Sequence, residues 1–257
     1  MRHIAITRPV SASIARCELT YREREPIDLE LARRQHAAYE ALLESLGQEI
    51  VRLPALHDHP DAVFVEDAAV AFDELAVLAP MGAASRTGES ATVAAALARF
   101  LPVTHLTLPA TLDGGDVLRV GRRVFVGMSR RTNREAVEQL ARVLRPYDYE
   151  VVGVSVRGAL HLKSACTAIG SDALVANPDW VDLTPFTSMR VVPVDSSEPW
   201  AGSVLHIDGA VVMPAGFPRT EGLLRSDGHD VQAIDLSELR KAEGGPTCLS
   251  ILLMTRA

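Results

Sequence analysis

The chain has 257 residues, 47% hydrophobic and 23% charged, which is enough apolar sequence to bury a core without disulfide staples. Its 26 basic and 33 acidic residues leave a formal charge of −7, which speaks against a nucleic-acid partner, since phosphates reward a basic face. No apolar run approaches the ~20 residues of a membrane helix, so no membrane partner is expected. The patch Ile4–Ile6 is too short for a cleavable leader. Three cysteines, Cys17, Cys166 and Cys248, share no CxxC spacing and argue against a disulfide framework or a zinc site. A protein of the reducing cytoplasm is expected.

In chain order, Ile4–Thr7 reads as a short strand and Leu29–Leu46 as a helix with Tyr39, Leu42, Leu43 and Leu46 on one face, stopped at Gly47. Val63–Leu78 reads as a hairpin turning at Asp73–Glu74. Thr92–Phe100 is an alanine-rich helix with a start signal at Ser90. Asp116–Val126 is a second hairpin, turning at Gly121. It is followed by a helix over Asn133–Leu144 that Pro146 ends. Lys163–Ala176 turns at Gly170–Ser171–Asp172, and Ser203–Met213 turns at Asp208–Gly209. Thr247–Met254 is half of a fifth pair, which Ile4–Thr7 completes. Hairpins thus recur about every 40–50 residues with helices between them, the mark of a ring or solenoid. The chain is α/β, and no Gly/Ser or Pro linker divides it, so residues 1–257 are expected to form a single domain.

The reactive residues occupy equivalent places in the repeat. Glu66 and Asp67 sit early in the first hairpin, Asp113 and Asp116 enter the second, His161 enters the third and Cys248 the last. In a ring such positions converge. Cys248 follows Gly244–Gly245–Pro246–Thr247, a loop whose glycines permit close backbone approach, so it is a candidate nucleophile. Taken alone it reads first as a small buried core residue. Cysteine, histidine and carboxylate together form a set used in covalent catalysis, though sequence leaves open whether Asp113 or Asp116 orients His161. Asp61, Glu66 and Asp67 form a carboxylate cluster that calls for a cation, and a planar guanidinium suits it. Arg86 and Arg131 are candidates for an anionic group, although all but two of the 26 basic residues are arginine. The sum is an amino-acid-like ligand with a cationic and a carboxylate end.

Five segments carry a specific resemblance. They are Pro60–Asp67, Leu112–Val117, Ser129–Asn133, His161–Ser164 and Gly244–Cys248. Together they resemble the dimethylarginine dimethylaminohydrolases of the guanidino-group modifying superfamily. The resemblance implies a five-bladed α/β propeller (pentein) with pseudo-fivefold symmetry and an axial active site. It implies hydrolysis of Nω-methylated arginine to citrulline and a methylamine, without metal or organic cofactor, by a monomer or homodimer. Carried onto this chain, it implies that Cys248 attacks the guanidinium carbon. His161 protonates the leaving amine and then activates water, and Asp113 orients His161. Asp67 binds the guanidinium nitrogens, with Asp61 and Glu66 helping to hold the substrate. Arg86 and Arg131 meet the α-carboxylate. Leu19 lies on a flap over the substrate, and Ala242 contacts it.

Related arginine deiminases place an acid two residues after the histidine. Here that residue is Lys163, which leaves one face of the guanidinium without a charged partner and open to methyl groups. Lys163 therefore speaks against a deiminase or an amidinotransferase, and the intact Cys248–His161–Asp113 set speaks against a silent binding protein. Around the first arginine the sequence departs from the family pattern. Ala79–Pro80–Met81–Gly82 stands where Thr-Arg-Pro-Gly is expected, and Thr87 where a second arginine is common.

Overall fold

The structure, a computed structural model, describes residues 2–255. Its strands form five sheets of three strands each. The first centres on β1 (Arg2–Thr7), which reaches β2 (Glu49–Arg52) through helix α1 (Leu29–Ser45). The second contains β3 (Val70–Ala71), β4 (Ala76–Leu78), α2 (Ser90–Leu97) and β5 (Val103–His105). The third contains β6 (Val117–Val120), β7 (Arg123–Met128), α3 (Arg134–Leu144) and β8 (Glu150–Ser155). A short helix α4 (Leu162–Ala165) leads into β9 (Cys166–Ala168), β10 (Ala173–Ala176) and β11 (Arg190–Pro193). The fifth sheet has β12 (Leu205–Ile207), β13 (Ala210–Pro214), α5 (Pro218–Ser226) and β14 (Asp230–Ile234). After α6 (Ser237–Lys241), β15 (Ile251–Thr255) returns to pair with β1, His3 opposite Met254, so the two ends of the chain close the ring.

Every central strand pairs antiparallel with one neighbour and parallel with the other. The antiparallel partners β3, β6, β9, β12 and β15 all line one axial cavity of about 310 Å³. This is the five-bladed α/β propeller that the sequence led us to expect. The central strands β4, β10 and β13 are buried along their whole length, which explains why they read as unbroken apolar runs rather than alternating ones. At the β12–β13 turn, Asp208 and Gly209 both have positive φ (47° and 83°), as a tight two-residue hairpin requires. Helix α1 is capped by the Asp28 side chain and α3 by Asn133, whose Oδ1 accepts the Ala136 N–H at 3.0 Å. Among the described residues no helix is long and apolar enough to cross a membrane.

Three expected strands begin later than their apolar runs; the last starts at Ile251 and not at Thr247, where the chain still turns. The first hairpin starts at Val70, because Val65–Ala68 forms a 3-10 turn that carries Glu66 and Asp67. Lys163 lies on α4 and not on a strand, because Oδ1 of Asp116 accepts the Leu162 N–H at 2.9 Å and starts a helical turn there. A 3-10 turn over Gly114–Asp116 likewise precedes β6. Three of the axial strands are thus entered through a helical turn bearing the reactive residues. The connection from β10 to β11 contains a 3-10 turn, Thr184–Phe186, in place of an α-helix.

Candidate active site

A narrow cleft lies where the chain enters the axial strands. Asp67 enters β3, His161 enters the fourth blade and Cys248 enters β15, and all three line this cleft. Asp61, Arg86, Arg131 and Ala242 line it too. Gly244 of the cysteine loop completes it with Glu18, Phe64, Leu160 and Glu243, for which the sequence reading assigned no role. No residue is shared with the wide axial cavity: Glu66 and Thr247 face that one, while their neighbours Asp67 and Cys248 face the cleft.

Asp113 is fully buried under His161. Its Oδ2 accepts the His161 Nε2–H at 3.1 Å, and its Oδ1 accepts the backbone N–H of Gly82 at 2.8 Å. Asp116 instead accepts from Ser129 and from the Leu162 N–H, so the open choice between the two aspartates is decided for Asp113. With Nε2 engaged, Nδ1 of His161 lies 3.7 Å from Oδ1 of Asp67. The glycines between the two aspartates are there for space: a Cβ on Gly114 would stand 2.0 Å from the Glu66 carbonyl oxygen. The Gly115 N–H donates to Asp67 Oδ1 at 3.1 Å. Tyr39 of α1 donates from its buried hydroxyl to the Pro246 carbonyl at 2.8 Å, tying the cysteine loop to a helix. The Gly245 N–H in turn points at Cys248 Sγ, 3.4 Å away.

Burial by itself would discharge His161, but the charges of Asp67, Asp113 and Asp116 prevail and raise it to about 9. Burial pushes the Cys248 thiol up to about 12, and the carboxylates of Glu66 and Asp67 push in the same direction. Asp67 resists its own burial because His161, Arg86 and Arg131 hold it ionised, below the usual range. Burial raises Asp61 to about 6.

Comparison with known proteins agrees with this geometry. A family model described as "N,N dimethylarginine dimethylhydrolase, eukaryotic" matches residues 7–184. The N(G),N(G)-dimethylarginine dimethylaminohydrolase of Streptomyces coelicolor is 39% identical over 97% of this chain and 96% of its own. The chain belongs to the dimethylarginine dimethylaminohydrolase family. The Pseudomonas aeruginosa enzyme of the same name is 32% identical over 87% of this chain and 89% of its own. A solved structure of the P. aeruginosa protein, a cysteine-to-serine variant complexed with citrulline, superposes with a TM-score of 0.93 and 30% identity, covering 98% of this chain and all of that one.

Within this dimethylarginine dimethylaminohydrolase scaffold, four expected residues sit differently from the sequence reading. Glu66 faces the axial cavity, where its carboxylate pairs with Lys163 Nζ. Lys163 is therefore neither solvent-facing nor in the cleft, and it presents no charge to whatever the cleft holds. Arg86, expected to meet a carboxylate, already bonds Asp67, Glu89 and the carbonyls of Asp61 and Phe64. Arg131 makes one charged contact, 3.5 Å to Asp113. Leu19 does not line the cleft; it packs half-buried against the apolar cluster containing Ala242 and Cys248, while its neighbour Glu18 faces inward. The altered segment before Arg86 still supplies the Gly82 N–H to Asp113. A Cβ at Gly82 would meet the Arg131 carbonyl oxygen at 2.3 Å. Asp67, Asp113 and His161 bring ligand atoms within 4.8 Å of one another, as a metal would need. His161 and Asp113 are already bonded to each other, Asp113 also to Gly82, and Asp67 to Arg86 and Gly115.

Proposed function

We propose that the protein hydrolyses Nω-methylated arginine, asymmetric dimethylarginine or monomethylarginine, to citrulline and dimethylamine or methylamine. The observation that carries this reading is one cleft holding Cys248, a charged His161 seated on buried Asp113, and the carboxylates Asp61 and Asp67. The cationic guanidinium docks against Asp67, and its charge favours loss of the Cys248 proton. The thiolate attacks the guanidinium carbon, and His161 donates its proton to the departing amine as the C–N bond breaks. This leaves an S-alkylthiouronium on Cys248. His161, now neutral, takes a proton from water, and the hydroxide adds to the same carbon. The C–S bond then breaks as the new hydroxyl passes its proton to the departing sulfur, releasing citrulline and restoring the Cys248 thiol. Arg131 takes the α-carboxylate, and Asp61 faces the α-ammonium. Arg86 serves Asp67 rather than the substrate, because both of its edges are already engaged.

Two features support a methylated over a plain guanidinium: the family match and the turning of Lys163 towards Glu66, which leaves the far edge of the guanidinium without an acid. Citrulline formation from asymmetric dimethylarginine and from arginine, beside a Cys248→Ser control, tests the reading. Citrulline from the methylated substrate, absent with arginine and lost in the variant, is the expected result. Turnover of arginine alone overturns it in favour of a deiminase, and turnover of neither overturns the substrate class.

A further inference from the structure

Among the described residues, 18–27 make no backbone–backbone hydrogen bond, although the segment crosses the cleft at Glu18. The Glu18 N–H donates to Asp61 Oδ2 at 3.1 Å and Arg24 bonds the carbonyls of Ala15 and Cys17, but residues 20–22 are held from the other end of the chain. Oε1 of Glu243 accepts three consecutive backbone N–H groups, those of Thr20, Tyr21 and Arg22, at 3.0, 2.5 and 2.8 Å. Successive amides converging on one point form an anion-binding concavity, and here a side chain supplies the anion. Oε2 of Glu243 is buried without a partner. The carboxylate thus depends on those three amides for its stabilisation.

The backbone of Glu243 is held as firmly as its side chain. Its φ is +60°, a left-handed conformation common for glycine, asparagine and aspartate but not for glutamate. The next residue, Gly244, has no room: a Cβ there would stand 2.2 Å from the Phe64 ring. A Cβ on Gly245 would stand 2.2 Å from the Ser203 hydroxyl. The Gly245 N–H points at Cys248 Sγ. Displacement of Glu243 therefore reaches the nucleophile loop with little slack.

We propose that Glu243 is a latch, closing residues 18–22 over the cleft and positioning the Cys248 loop in the same movement. Opening breaks three hydrogen bonds together, so the segment switches between shut and open instead of fraying. The inference holds for any guanidino compound in the cleft, and its test uses no substrate. Arg22 supplies a reporter, because its guanidinium sits 4.6 Å above the Trp200 ring. Trp180 is the only other tryptophan, so Trp180→Phe leaves Trp200 alone.

In that background, Glu243→Ala keeps a Cβ and the same backbone demand while removing the carboxylate. Glu243→Gln keeps the shape and weakens the acceptor. Ligand-free protein is treated with iodoacetamide, alkylation is read at each cysteine by peptide mass, and Trp200 emission is recorded alongside. Glu243→Ala is expected to raise alkylation of Cys248 about tenfold, the scale of one net charge-assisted bond. Emission should shift as Arg22 leaves the ring, and buried Cys166 should stay unlabelled. Glu243→Gln should show the same changes to a lesser degree, and it supplies the readout if the alanine variant does not fold. Unchanged alkylation in a folded variant overturns the latch. So does faster alkylation with Trp200 emission unmoved, which would confine the effect to the cysteine loop.

Discussion

A methyl group on Gly115 would stand 2.6 Å from Nδ1 of His161, and 2.8 Å from Oδ1 of Asp67. The backbone thus wedges between the histidine and the carboxylate that charges it, at a distance only glycine allows. Gly115→Ala is expected to push His161 off Asp113, lowering kcat/KM about 100-fold, the scale of a 1 Å misplacement. Overpacking should cost about 1–3 kcal/mol of stability. Citrulline assays and thermal melts read the two effects separately.

The Cys248 thiol, pushed up to about 12 by burial and then by Glu66 and Asp67, should be a poor nucleophile in the empty cleft. A non-reactive cationic amidine placed against Asp67 reverses the local charge and should lower the thiolate titration midpoint by about one unit or more. Ultraviolet thiolate absorbance, followed against pH with and without the amidine, measures the shift. A thiolate fully formed at neutral pH in the free protein contradicts the argument.

His161 is raised from 6.5 to about 9, burial opposing and Asp67, Asp113 and Asp116 prevailing. The folded state therefore binds this proton more tightly than the unfolded chain. The stability it contributes is complete below pH 6.5 and is lost as pH rises through about 9. The Tm difference between the parent and His161→Gln should narrow across that window. On the same protonation, kcat/KM should fall above about pH 9, as the general acid is lost. A Tm difference that is flat or widens with pH would show that the imidazole is not held charged.

Arg86 and Arg131 are predicted to fail in different ways. Arg86→Ala leaves Asp67 and Glu89 buried without their cation and should cost about 3–5 kcal/mol of stability. Arg131→Ala removes only a 3.5 Å contact to Asp113, so the protein should stay folded. Its KM should rise about 10–100-fold with kcat much less changed, as for the loss of a charged bond to the substrate. A decarboxylated substrate analogue should not distinguish Arg131→Ala from the parent. Equal losses on both substrates would assign Arg131 to the support of Asp113 instead.

The Lys163–Glu66 pair is largely buried, with side chains 14% and 13% exposed. Lys163→Met should cost about 3 kcal/mol by leaving Glu66 charged and alone, and adding Glu66→Gln should restore most of that. Chemical denaturation of the two single variants and the double variant closes the cycle. Independent, additive losses would mean that the two side chains do not act as a pair.

The sequence by itself determined the number of blades, the hairpin turns at Gly121 and Asp208–Gly209, the helices α1 and α3 and the closure of the ring by the two ends of the chain. These are local matters of apolar periodicity, caps and positive-φ turns, and each is written within a few consecutive residues. It also pointed to Cys248, His161, Asp67 and Asp113 as candidates, since they occupy equivalent steps of one repeat. Tertiary structure alone decided which way each of those side chains faces. A 3-10 turn sends Glu66 to one end of the axis and Asp67 to the other, and neighbouring residues in sequence carry no sign of that division. It alone decided between Asp113 and Asp116, because the choice depends on where Gly82 and Leu162 place their N–H groups. Arg86 meeting Asp67, and Glu243 reaching the amides of residues 20–22, join points 19 to 223 residues apart. Such pairings follow from ring closure, which brings together parts of the chain that no local pattern connects.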